Sequence, residues 1–220
     1  MKTFENFVVV PANQLACVAA DRICHSPGSY NPLYIFGASG TGKTHLLMAI
    51  ADFYRNSGKT AQYLSCQQFC DEMISAIQTG TVAGFQAKYH AADIVLVDGL
   101  QYIDGKEATQ HELFSILAKR LSDHKQTVFA GNTLPTQISL WNTELSSCLT
   151  GSLCIEIQVP NFEETVQIVA NKLKEQGMDW PVEACRYVAL NIASGRKQIT
   201  GEINKIAFLN SLHTEKNDCI

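Results

Sequence analysis

Gly37-Ala-Ser-Gly-Thr-Gly-Lys-Thr44 has the spacing G-x-x-x-x-G-K-[ST]. Glycines at this spacing let successive backbone N–H groups converge on phosphate oxygens. Lys43 offers a point charge for the outer phosphates, and the Thr44 hydroxyl can ligate Mg²⁺. Gly37, Ser39, Gly40, Thr41, Gly42, Lys43, Thr44 and His45 are therefore the candidate nucleotide contacts. A second stretch, Asp93-Ile-Val-Leu-Val-Asp98, is an apolar run ending in an acid. It predicts a buried parallel strand with a carboxylate at its C-terminal tip. Opposite a phosphate loop, such an acid holds Mg²⁺ directly or through water. Thr44 and Asp98 are the candidate metal ligands.

The elements needed to bring these groups together can be read from the neighbouring sequence. Leu33-Tyr-Ile-Phe36 is a short run of strand formers, and His45 to Arg55 is helical in composition. This is the strand–loop–helix context the motif requires, with the helix's positive dipole end at the anion. The start, Phe4 to Val10, is apolar and β-prone, and a helix begun at Pro11 and Asn13 runs through Leu15 to Cys24. Strands are predicted over Lys59–Leu64, Asp93–Asp98, Gln126–Ala130 and Leu153–Val159, and helices over Cys66–Ile77, Thr81–Tyr89 and Glu107–Leu121. Strands alternating with helices imply an α/β fold, a parallel five-stranded sheet covered on both faces. After Pro160 the pattern is all helix. Asn161 and Glu164 form a capping box opening a helix to Gln176, Pro181 begins a second to about Ala193, and a third spans about Gln198 to His213. The expected layout is a nucleotide-binding core over 1–160 and a three-helix lid over 161–220.

Composition narrows the class. The net charge of −4 gives no overall basic character of the kind that marks nucleic-acid binders. The N-terminus lacks the apolar region of a signal peptide, and no apolar stretch reaches membrane-span length. The expectation is a cytoplasmic protein without membrane contact. Eight cysteines occur with no C-x-x-C pair, which speaks against zinc and for buried thiols in a reducing compartment.

Several motifs together resemble one family. Thr3-Phe-Glu-Asn-Phe-Val-Val9 with Asn13-Gln-Leu-Ala16, Asn31-Pro-Leu-Tyr-Ile-Phe-Gly37, Gly42-Lys-Thr-His-Leu-Leu47 and Asp98-x-x-Gln-Tyr-Ile-x-Gly-Lys-Glu107 resemble the AAA+ ATPase domain of the bacterial replication initiator DnaA family. The resemblance covers nearly the whole chain, and the family's C-terminal duplex-DNA-binding domain has no counterpart in it. It implies an AAA+ phosphate-loop core binding ATP or ADP with Mg²⁺, and a role in DNA replication initiation. It implies Asp98 as the Walker B acid and Asn132 as the polar sensor facing the γ-phosphate. Phe7, Val8 and Asn13 fall in the segment that walls the adenine pocket. Lys197, beside Arg196, takes the place of the lid's sensor arginine. Implied partners are adenine nucleotide, further AAA+ subunits (self-association or DnaA), and single-stranded DNA.

The departures bear on mechanism. The family's second acid after Walker B is replaced by Gly99, and its arginine finger aligns with Cys148. No arginine occurs between Leu121 and Cys185. Asp104 or Glu107 could stand in for the acid only by reaching inward, and Arg120 is a candidate surrogate finger, although it reads more readily as a solvated residue at a helix end. Hydrolysis is expected to be slow or absent. The insertion Ser65 to His90, which holds single-stranded DNA in the family, carries one lysine, Lys88, against Asp71 and Glu72. Phe85 and Tyr89 read there as core. Two further readings share the phosphate loop: a non-catalytic DnaA-interacting regulator, and a helicase-loader-type AAA+ ATPase.

Overall fold

A computed structural model describes residues 2–138, 141–195 and 199–217. Five strands form one parallel sheet: β1 (Leu33–Phe36), β2 (Ala61–Ser65), β3 (Ile94–Asp98), β4 (Gln126–Gly131) and β5 (Leu153–Glu156), in the order β2-β3-β4-β1-β5. The helices are α1 (Pro11–His25), α2 (Lys43–Asn56), α3 (Cys66–Thr79), α4 (Val82–Ala91), α5 (Glu107–Ser122), α6 (Thr143–Thr150), α7 (Phe162–Glu175), α8 (Val182–Gly195) and α9 (Ile199–Asn217). This is the expected α/β fold, a parallel five-stranded sheet with helices, followed by three further helices.

The apolar run in β3 reflects burial on both faces. Successive side chains of a strand point to opposite sides. Val95 and Val97 join a core with Phe69, Leu113, Phe129 and Leu145, whereas Ile94 and Leu96 join one with Ala16, Leu46, Ile50 and Val128. The phosphate-loop helix α2 thus packs on one face, and α3 to α6 cover the other.

The structure departs from the sequence reading in three places. The β-prone start forms turns. Its aromatic rings pack against α2 instead of joining the sheet: Phe4 lies edge-on to Phe53 and Phe7 edge-on to His45. Helix α6 was not anticipated. Its buried apolar residues are Leu145 and Leu149, too few to show a period, and Asn142 caps it by accepting from the Leu145 N–H at 2.8 Å.

The third departure is Arg120, which is 1% exposed rather than solvated. Its guanidinium donates to the carbonyls of Tyr89 (2.5 Å), Ala92 (2.9 Å) and Gln126 (2.6 Å), and to the Thr127 hydroxyl (3.1 Å). A planar fork of five donors suits such a cluster of carbonyls. Burial lowers its pKa to about 10, against the raising influence of Asp93 and Asp123. It ties the end of α4 to the start of β4 and is not available as a surrogate finger.

The chain divides into two compact units. One comprises Met1–Phe7 and Asn13–Gln158, the other Val8–Ala12 and Val159–Ile220. The second unit encloses Val166, Val169, Leu173, Cys185, Ile192 and Ile203 between its helices. Its capping box forms as expected: Asn161 Oδ1 accepts from Glu164 N–H (2.9 Å), and Glu164 Oε2 accepts from Asn161 N–H (2.6 Å). The other Glu164 oxygen accepts from the Ala12 N–H at 3.0 Å.

Candidate nucleotide site

All five strands run parallel, so their C-terminal ends share one edge of the sheet, where α/β folds place their ligands. Pairing sets Phe36 beside Gly131 and Val97 beside Phe129. The phosphate loop after β1, Asp98 at the tip of β3 and Asn132 just past β4 are therefore brought to that edge.

The loop enters α2 through Gly42, whose φ of 107° lies in the left-handed region. A Cβ there would also stand 3.2 Å from the Phe7 ring. Glycine at this position serves both the turn and the close approach of an aromatic side chain. Phe7 also packs on His45, with ring centroids 5.0 Å apart. The His45 ring nitrogen Nε2 lies 2.8 Å from Asn6 Oδ1 and 3.1 Å from the Thr3 carbonyl. These contacts clamp the entry segment onto the first turn of α2.

Lys43 is 8% exposed, and its ammonium donates to the carbonyls of Gly37 (2.6 Å) and Ala38 (2.8 Å). Burial lowers its pKa, and the nearby Asp98 carboxylate works against that shift. Thr44 Oγ1 donates to Asp98 Oδ2 at 2.6 Å. The same oxygen accepts from the Tyr63 hydroxyl at 3.0 Å. Burial, then the charge of Asp98, raises the Tyr63 pKa and keeps its proton in place. A hydroxyl and a carboxylate side by side form the hard oxygen set that Mg²⁺ takes, usually completed by water and phosphate. The residues present fit that ion.

Asn132 is exposed at the same edge. The turn that carries it is propped by the Tyr34 hydroxyl, which donates to the Thr133 carbonyl at 2.8 Å. The other expected contacts come from outside the loop and the strand tips. Asn13 is buried in α1, with its amide oxygen 3.8 Å from the Cys17 sulfur. Val8 belongs to the second unit, whereas Phe7 and Asn13 belong to the first. Lys197 lies outside the described residues.

Gly99 begins a 3-10 turn over Leu100–Ile103, and Asp104 and Glu107 beyond it are exposed. Glu107 is turned to His111 at 3.8 Å. Cys148 sits half-buried in α6 against the apolar core, and burial raises its thiol pKa. In the insertion, Lys88 pairs with Glu72 at 2.8 Å. Phe85 and Tyr89 are 8% and 1% exposed and pack at a tilt against Phe69 in the core, as expected.

Tyr63 escaped the sequence reading. It precedes the end of β2 by two residues and pairs with Leu96. Strand parity therefore puts it on the Asp98 side of the sheet. Only the β2–β3 register exposes this, and no local motif encodes it.

With this geometry in place, comparison with known proteins is direct. A family described as the bacterial DnaA ATPase domain matches residues 1–156. The chromosomal replication initiator protein DnaA of Methylacidiphilum infernorum (isolate V4) is 34% identical over 216 residues, 97% of this chain and 48% of the relative. The chain spans about half the length of the curated relatives it matches. Domain III of the Thermotoga maritima replication initiation protein DnaA superposes with a TM-score of 0.91 at 30% identity, covering 97% of this chain and 90% of that one. A replication initiator DnaA bound to AMPPCP and single-stranded DNA gives a TM-score of 0.86 at 29% identity, covering 99% and 68%. The DnaC helicase loader, at 16% identity and a TM-score of 0.60 over 72% of this chain and 97% of that one, shares the fold alone.

Proposed function

The chain belongs to the bacterial DnaA ATPase-domain family, and from that premise we propose that it binds ATP or ADP with Mg²⁺ and acts as a nucleotide-switched partner in replication initiation, with slow or absent hydrolysis. The observation that carries this reading is the 2.6 Å contact of Thr44 with Asp98 beside the buried Lys43. The loop's backbone N–H groups and Lys43 bind phosphate, and Thr44 and Asp98 hold Mg²⁺. Bound Mg²⁺ supplies charge neutralisation between phosphate oxygens. Phe7, His45 and Asn13 form or support the adenine side, and Asn132 senses the terminal phosphate.

Turnover is slow because Gly99 offers no carboxylate to orient water and Cys148 offers no cation. A finger alone is worth roughly 10³–10⁵ in rate. Cys148 is half-buried against the apolar core, which supports the non-catalytic regulator as the second reading. Partners are further AAA+ subunits, its own copies or DnaA, in the cytoplasm. Among the described residues no helix is long and apolar enough to cross a membrane. A single-stranded DNA contact through the insertion has family support but little from its residues, whose one lysine, Lys88, pairs with Glu72.

Calorimetry with ATP and ADP tests the reading. Micromolar or tighter binding that Lys43→Ala abolishes is the expected result. No binding by the wild type at millimolar nucleotide would overturn it.

A further inference from the structure

We propose that Tyr63 is a positioning residue for the metal-binding carboxylate: its hydroxyl, reaching from β2, fixes the rotamer of Asp98 so that the acid meets Mg²⁺ in register with Thr44. This deepens the nucleotide-binding reading and rests on it. Asp98 ends its strand and is only half-buried, so its neighbours must set its carboxylate orientation. Two donors converge on the one oxygen Oδ2, Thr44 Oγ1 at 2.6 Å and the Tyr63 hydroxyl at 3.0 Å. Their effects differ. Thr44 would itself be a ligand of the metal. Tyr63 stands on the neighbouring strand and contributes no charge.

The Tyr63 ring is anchored independently of the site. Its stem packs against the core that includes Leu46, Ile94 and Leu96, and β2 is hydrogen-bonded to β3 from Ala61 to Ser65. The hydroxyl thus belongs to a rigid frame. Partners that orient metal ligands in this way typically contribute 10- to 100-fold to metal affinity.

Tyr63→Phe removes the hydroxyl and keeps the packed ring, so the fold is retained; a thermal melt recorded alongside verifies this. The experiment titrates Mg²⁺ into protein with a fluorescent ADP analogue, and separately measures analogue affinity in EDTA. The expected result is that Tyr63→Phe needs about tenfold more Mg²⁺ to reach its tight-binding state, with affinity in EDTA equal to that of the wild type. An unchanged Mg²⁺ requirement would overturn the proposal. So would an equal loss of affinity with and without metal, which would mark Tyr63 as packing only. A wild type that binds no analogue sinks the nucleotide reading itself, and is thereby distinguished from failure of the Tyr63 role.

Discussion

Replacing Gly99 with aspartate should raise ATP turnover by about two orders of magnitude while leaving the fold and nucleotide affinity intact. The backbone at Gly99 has φ 76° and ψ 45°, the left-handed region. An L-residue there costs about 1–2 kcal/mol, and Asp is among the residues that tolerate it best. Losing glycine's extra freedom in the unfolded chain returns about 0.4–1 kcal/mol. Space is not limiting, because a Cβ at Gly99 meets only Gln101 Nε2, at an ordinary 3.7 Å. The net cost is therefore between about 0 and about 1.6 kcal/mol. A positioned general base contributes about 10²–10⁴ in rate, and the lower end applies because Cys148 still leaves the finger missing. Phosphate release under saturating ATP measures the gain, with a thermal melt and an ADP titration as controls. A variant that folds and binds nucleotide normally, yet turns over within twofold of the wild type, would refute the assignment of the deficit to Gly99. So would a wild type already turning over at about 1 s⁻¹ or faster, within the ordinary enzyme range.

Two further perturbations test the frame around the site. Arg120→Ala leaves four carbonyls and the Thr127 hydroxyl without their guanidinium donor, and should cost about 3–5 kcal/mol in urea unfolding. Arg120→Lys should recover only part of this, because one ammonium cannot span the fork; a loss below about 1 kcal/mol for the alanine variant would contradict the geometry. Asp93 accepts from the Thr60 N–H and hydroxyl, both at 2.8 Å, and the backbone bond is the main cause of its lowered pKa. A depressed carboxylate pKa stabilises the fold above the unfolded-state value, about 4, and that contribution is lost as pH falls through the lower folded value. Wild type should therefore exceed Asp93→Asn in thermal midpoint at neutral pH, and the gap should close in acid; a gap constant with pH would refute the linkage.

What the sequence disclosed and what it concealed divide along a physical line. The phosphate loop is a local motif, and β3 is a continuous apolar run, so both are written in consecutive residues. The alternation of strands and helices likewise follows from composition along the chain. Arg120 could not be read correctly in that way. A cation at a helix end is normally solvated, and only the return of β4 beside the end of α4 gathers the carbonyls that bury it. Tyr63 depended on the β2–β3 register in the same sense. Helix α6 is short and capped from its own flank, so it shows little period. The β-prone start was misread because strand propensity does not say whether a place in the sheet is available, and Phe4 and Phe7 found α2 instead.

The assignment of Val8–Ala12 to the same unit as Val159–Ile220 has a consequence for biosynthesis. Glu164 accepts from Ala12 across 152 positions of chain. At about 5–20 residues per second, the ribosome delivers that carboxylate about 8 to 30 s after Ala12. Val8–Ala12 thus finds its partner only after all five strands of the sheet have been made. The sheet can assemble around the phosphate loop during that interval, while the helical unit must wait for the residues after Gln158. A truncation at residue 158 would leave Val8–Ala12 without the rest of its unit, so the lid is not a detachable C-terminal piece.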